Sequence, residues 1–215
     1  FDVFTAGASI FGYHGWPSVC RGPEGELLAV CSGLRLAHVC PFGKVLLSRS
    51  FDEGRHWTTP EIVMDTPLDD RDAGVTVFGN GRLIVTSFNH YIDVQREFTV
   101  DSEYGTVMKR AYFSCGRVSD EMEKAYFGST YVLSDDNGRS WSAVKKAPVT
   151  APHGPAALRD GGLLYLGNPK VYDADHRVRY TDDHRRIEAW YSADGESWEK
   201  RGTVDCPIGE KVLSC

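Results

Sequence analysis

One phrase occurs three times in the chain and restricts its fold more than any other feature. It reads S-F-D-E-G-R-H-W over Ser50–Trp57, S-D-D-N-G-R-S-W over Ser134–Trp141, and a shortened S-A-D-G-E-S-W over Ser192–Trp198. Each copy follows an apolar run: Val45–Leu47, Tyr131–Leu133 and Ala189–Tyr191. A strand running into a tight turn is therefore expected three times. In that turn Asp52, Asp136 and Asp194 should accept backbone N–H groups. Gly54 and Gly138 should supply positive φ, while Trp57, Trp141 and Trp198 pack back beneath the turn. Ser50, Ser134 and Ser192 open each copy. Such a recurring phrase marks a structural repeat.

The rest of each repeat can be read around it. Pro17–Cys20 and Leu27–Cys31 flank a turn at Gly22–Glu26, which predicts a hairpin. Lys44–Ser48 is a third strand and Glu61–Met64 a fourth. A second hairpin is predicted at Gly74–Phe78 and Leu83–Phe88 around Asn80-Gly81, a pair that strongly favours tight hairpin turns. A third is predicted at Pro155–Leu158 and Leu163–Leu166 around Asp160-Gly161. The unit is a hairpin, a third strand, the punctuated turn and a fourth strand. Four antiparallel strands per repeat describe a propeller blade. The expected blades lie near residues 17–72, 73–152 and 153–207, within one domain over 1–215. The middle one carries an insertion near Asn89–Ala125, with Ser119–Ala125 as the only helix expected. Closed propellers need about four to eight blades. Three cannot close, so the missing blades are expected from a longer chain or from another subunit.

Composition narrows the function classes. A net charge of −6 opposes nucleic acid or an anionic membrane surface as partner. No stretch approaches the roughly 20 apolar residues of a membrane span. The chain opens at Phe1, so its start is expected to have been trimmed. None of the six cysteines, Cys20, Cys31, Cys40, Cys115, Cys206 and Cys215, forms a C-x-x-C pair, and no zinc site is expected. Cys20 and Cys31, on neighbouring strands, could bridge in a secreted protein; free thiols in a reducing cytoplasm are the preferred reading.

The repeated turn resembles the Asp-box, or BNR repeat, of sialidases and related six-bladed propellers. The resemblance spans roughly Pro17 to Val204. The stretches Arg35-Leu36-Ala37-His38, Asp69-Asp70-Arg71-Asp72-Ala73-Gly74 and His153-Gly154-Pro155 add a weaker likeness to bacterial sialidase-like proteins. The resemblance implies an all-β propeller, with about three blades of a six-bladed whole present, and glycoside hydrolysis on a glycan. In exo-sialidases an arginine triad grips the substrate carboxylate, a tyrosine activated by a glutamate is the nucleophile, and an aspartate is the acid/base. This chain departs from that scheme twice. The place of the first arginine, before the first strand, reads Gly15-Trp16-Pro17, and the loop from Gly33 to Lys44 holds neither Asp nor Glu.

Propeller topology puts the second-to-third-strand loops and the blade-to-blade loops on one face, with the Asp-box turns on the other. The first face collects His14, Trp16, Arg35 to Lys44, Asp69 to Asp72, the insertion from His90, His153 and the loop Lys170–His184. Loops on a rigid scaffold are where binding groups gather. Asp70 and Asp72 are candidate acid/base groups, with Arg71 holding a substrate carboxylate; an ion-paired corner between blades is the alternative. His38 titrates near neutrality and is a third candidate acid/base, with Arg35 and Lys44 as anion binders. A plain surface loop is the competing reading. His153 is a candidate substrate contact or a hydrogen-bonded structural residue. His90 and Tyr91 could stack on a sugar ring or pack within the insertion. Asp173, Asp175, His176, Asp182, Asp183 and His184 fit no strong ligand spacing, so a solvated acidic loop is expected there. No cofactor is expected: phosphate-loop, nucleophile-elbow and dinucleotide motifs are all missing. The expected function is a sialidase-like glycoside hydrolase on an acidic or decorated glycan. A non-catalytic glycan-binding or scaffold propeller, and a glycan lyase on the same scaffold, are the alternatives.

Overall fold

A computed structural model describes residues 2–4, 7–97, 102–114, 118–169 and 186–204. It consists of three four-stranded antiparallel sheets, each with strands in simple sequence order. The first holds β1 (Tyr13–Arg21), β2 (Leu27–Arg35), β3 (Lys44–Ser50) and β4 (Glu61–Met64). The second holds β5 (Arg71–Phe78), β6 (Arg82–Asn89), β7 (Gly128–Ser134) and β8 (Lys145–Lys146). The third holds β9 (Ala156–Ala157), β10 (Leu163–Gly167), β11 (Ile187–Ser192) and β12 (Glu199–Val204). The opening strands lie side by side, β1 against β5 and β5 against β9.

The middle sheet is covered on both faces, and its sequence says why. In β6, Leu83 and Val85 join Leu28, Val30, Val45 and Leu47 in one buried cluster. Ile84 points the other way, into a second cluster with Phe78, Tyr131, Leu133 and Leu163. Successive strand residues face opposite sides, so a strand buried on both must read as an unbroken apolar run. The outer faces of the first and third sheets are different. Val19 and Ile62 stand 63% and 53% exposed on the first, Leu166 and Val204 44% and 51% on the third. A cavity of about 480 Å³ opens on the first of these faces, lined by Val3, Phe4, Pro17, Val19, Cys31 and Trp57 among others.

Register separates the two ends of the sheets. Leu27 pairs with Ser50, Leu83 with Ser134 and Leu163 with Ser192, so all three of the repeated Ser-Asp-Gly-Trp turns lie beside the first hairpin turns. Tyr13 pairs with Arg35 and Arg71 with Phe88 at the other end. Within the turns, Asp52 Oδ1 accepts from His56 N at 2.8 Å, Asp136 Oδ1 from Ser140 N at 2.9 Å, and Asp194 Oδ1 from Ser197 N at 2.9 Å. Ser50, Ser134 and Ser192 Oγ accept from the N–H of Gly54, Gly138 and Gly195. Those glycines have φ of 81°, 74° and 74°. The rings of Trp57 and Trp198 are tied by Nε1 to Gly54 O and to Tyr131 Oη, while Trp141 packs on the first core cluster. Neighbouring sheets lock at this end, where Asn137 Nδ2 donates to Glu26 Oε1 at 2.7 Å.

Two expectations need correction, one in the insertion and one in the opening strand of the third sheet. Among its described residues the insertion carries three helices, not one: α1 (Ile92–Glu97), α2 (Glu103–Ser114) and α3 (Asp120–Tyr126), the last capped by Ser119. α2 escapes pattern reading because its buried positions include Gly105 and Lys109, so no apolar stripe marks it. The strand expected over Pro155–Leu158 is confined to Ala156–Ala157. Cys20 and Cys31 are not bridged: Cys20 pairs across from core-facing Leu28, whereas Cys31 lies on the outer face beside the cavity. Burial raises their thiol pKa values to about 11 and about 12. Cys40 is also free, and Cys115, Cys206 and Cys215 lie outside the described residues.

Candidate functional site

The end away from the three repeated turns carries a compact polar cluster built on two irregular strands. The register of β1 shifts between Tyr13, Gly15 and Ser18, and that of β5 shifts between Arg71 and Gly74. Such bulges re-aim side chains. Here the first displaces Trp16 and the second Asp72, both left-handed at φ 52° and 47°. Leu34 and His153 are left-handed at the same end. A non-glycine residue in this region costs of order 1 kcal/mol or more, and such residues gather at functional sites.

Trp16 is the centre of the cluster. The guanidinium carbons of Arg35 and Arg71 each lie 5.1 Å from its ring centroid. His38 meets it edge-on at 5.0 Å. Arg71 also lies 5.6 Å from the Phe88 ring, against which His90 packs at 5.3 Å. Arg71 Nη2 donates to His38 Nε2 at 3.1 Å. Its Nε stands 3.9 Å from Asp72 Oδ1, too far for a hydrogen bond. Both atoms are buried and have no hydrogen-bond partner among the described residues. Burial lowers the pKa of Arg71 and raises that of Asp72, which Arg71 partly offsets. Desolvation, then Arg71, holds His38 below its ordinary pKa. His153 closes the cluster from the third sheet's side. Its Nδ1 lies 2.9 Å from Ser18 Oγ, and its N–H donates to Asp72 O at 3.1 Å.

Several predicted site residues have other work. Arg35 is wholly buried. It pairs with Asp69 at 2.7 Å and donates to the carbonyls of Ala37, His38 and Asp70. It thus fastens the β2–β3 loop from inside and does not face a ligand. Asp69 Oδ1 is in ion contact with Arg35 but outside hydrogen-bond geometry; its Oδ2 accepts from Arg35 Nη2 and Cys40 N. Gly43 leaves room for the pair, since a Cβ there would sit 2.2 Å from Arg35 Nη1. Asp70 is wholly buried too, and its carboxylate accepts from Thr66 N and Thr66 Oγ1 at 2.7 and 2.9 Å. Burial raises its pKa to about 7, but the group has no path to a ligand. Expected as acid/base and anion binder, Asp70 and Arg35 are thus both buried and bonded within the protein.

Lys44 pairs with Asp65. Tyr91 is buried and stacks on Phe127 at 4.0 Å within the insertion. His14 lines the outer-face cavity. The loop bearing Asp173, Asp175, His176, Asp182, Asp183 and His184 lies outside the described residues. Among the described residues no group of metal-ligating side chains gathers, and no helix is long and apolar enough to cross a membrane. Sequence reading did not single out Phe88 or Ser18, nor the central place of Trp16. The available signal was Gly15-Trp16-Pro17, an aromatic next to residues that disturb strand pairing.

No protein-family model and no curated protein matches the sequence. Solved structures do match. The chain is similar to a protein of unknown function from Dyadobacter fermentans, with a TM-score of 0.57 and 16% identity over 90% of this chain and 55% of that one. It is also similar to the NanB sialidase from Streptococcus pneumoniae, with a TM-score of 0.60 and 14% identity over 97% of this chain and 46% of that one. The chain thus spans about half the length of these structures. At such identities the likeness is one of fold: three antiparallel sheets arranged as in a sialidase-type protein.

Proposed function

We propose that the chain supplies three blades of a sialidase-like β-propeller and, at the end opposite its Asp-box turns, part of a site for an acidic glycan. Two features support the propeller: the opening strands β1, β5 and β9 lie side by side, as strands around a central axis would, and both outer faces expose apolar side chains that further blades would cover. One observation carries the site. Arg71 Nε and Asp72 Oδ1 are a buried donor and a buried acceptor, both unsatisfied among the described residues, beside an aromatic ring. Leaving such groups unpaired costs about 1–3 kcal/mol each, which a polar ligand recovers. Arg71 would hold the sugar carboxylate. Asp72, with its raised pKa, would give or take a proton in glycoside hydrolysis.

A second reading has its own observation. Of the three aspartates at residues 69, 70 and 72, two have no exposed surface, so among the described residues Asp72 is the acid of this cluster nearest to solvent. Glycosidases ordinarily use two carboxyl groups, or a tyrosine with its activating glutamate. A non-catalytic glycan-binding propeller needs neither. Turnover of aryl glycosides of acidic sugars by the protein, compared with Asp72→Asn, separates the two. Hydrolysis lost in Asp72→Asn with binding kept supports the enzyme; binding without turnover in both supports the glycan-binding module. Neither binding nor turnover on any acidic sugar would overturn both.

A further inference from the structure

Arg71 has one partner that sequence reasoning cast in a different role. Arginine carries donors only, so the 3.1 Å contact from Arg71 Nη2 makes His38 Nε2 an acceptor. The ring must then be neutral, with its proton on Nδ1. That occupies the nitrogen through which His38 would exchange a proton at the cluster. We propose that His38 is a positioning residue for Arg71: the neutral imidazole holds the guanidinium beside Trp16 and leaves Nε free for the anionic group of the ligand. The inference rests on the acidic-glycan reading of the site for its last clause, and on geometry alone for the rest.

The surroundings favour the neutral ring. From β5 it faces Arg71 and Asp72, from β2 Arg35, from the segment before β5 Asp69, and from β1 the edge of Trp16. Desolvation opposes its protonation most, and Arg71 and Arg35 add to that, against the smaller pull of Asp72 and Asp69. Protonation would turn Nε2 into a donor and set two donors against each other. The Arg71 contact would then break, and ligand binding would weaken on the acid side.

Two measurements test this. ¹⁵N NMR of the imidazole in the free protein should show the Nδ1–H tautomer near neutral pH, with protonation only below the ordinary histidine range. An Nε2–H tautomer, or ordinary titration, would overturn the proposal whatever the ligand is. The second measurement is affinity for sialyllactose by titration calorimetry. His38→Ala should lose about tenfold, the value of one hydrogen bond to a charged group. His38→Gln, which keeps an acceptor near the Nε2 position, should recover most of that loss and flatten the acid limb of the pH profile. A His38→Gln variant as weak as His38→Ala would overturn positioning. If the wild-type protein ignores sialyllactose, the acidic-glycan reading fails, and the tautomer still decides the Arg71 contact.

Discussion

Arg71 combines two properties that rarely coexist: its side chain is 7% exposed, yet one of its donors is unspent. Replacing it separates charge from shape. Arg71→Ala should weaken binding of an acidic glycan by about 10–100-fold, the range of a charge-assisted contact. Arg71→Lys should restore little, because lysine has no counterpart to Nε and no planar fork. Calorimetry on both variants checks this. Asp70 makes a different prediction. Its folded pKa of about 7 lies above its ordinary 3.8, so the folded state binds the extra proton between these values. Its contribution to stability is complete below about pH 4 and is lost as pH rises through about 7. Asp70→Asn should therefore flatten the melting temperature against pH in that window. An unchanged slope would contradict the burial argument. Asp70-Arg71-Asp72 was legible as a cluster, but its division of labour was not. A strand alternates its side chains between faces, and the shift in β5 register that aims Asp72 leaves no mark in residue type.

Among the elements, the three repeated turns were the most legible, because side-chain and backbone chemistry coincide there. A short acceptor, a glycine at positive φ and a ring to cover the turn must recur in one order. Asp52 illustrates the consequence: its bonds to His56 and Ser50 hold its pKa down at about 2. Asp52→Ala should lower the melting temperature near neutral pH, yet leave glycan affinity unchanged, since the turn and the cluster lie at opposite ends of the first sheet. The β2–β3 loop shows the converse. Its sequence reads as a loop carrying a cation; in the structure that cation, Arg35, is buried beneath it. Gly43→Ala should destabilise by about 1–3 kcal/mol by crowding the Arg35–Asp69 pair, measurable by urea denaturation. The insertion was least legible. Its helices bury Lys109, Gln95 and Glu123, and Glu123 Oε1 accepts from Ile92 N at 2.6 Å. A segment held by buried polar groups shows no apolar period for a reader to find.

At the scale of the whole molecule, one middle sheet is finished and two outer sheets are half covered. Leu83, shared by the first two sheets, has no exposed surface, and Leu83→Ala should cost about 2–5 kcal/mol. Val19→Thr and Leu166→Thr, on the outer faces, should be far milder in this chain alone. In a protein whose further blades cover those faces they should be severe. The same architecture gives the molecule its polarity: structural turns at one end, and arginine, histidine, aspartate and tryptophan at the other. The central claim is that this second end receives an acidic glycan through Arg71. Titration calorimetry of sialyllactose against lactose, in wild-type and Arg71→Ala protein, tests it most directly. The expected result is binding of sialyllactose at least about tenfold tighter than lactose, with that preference lost in Arg71→Ala. Equal affinity for the two sugars, or an unchanged preference in Arg71→Ala, would contradict it.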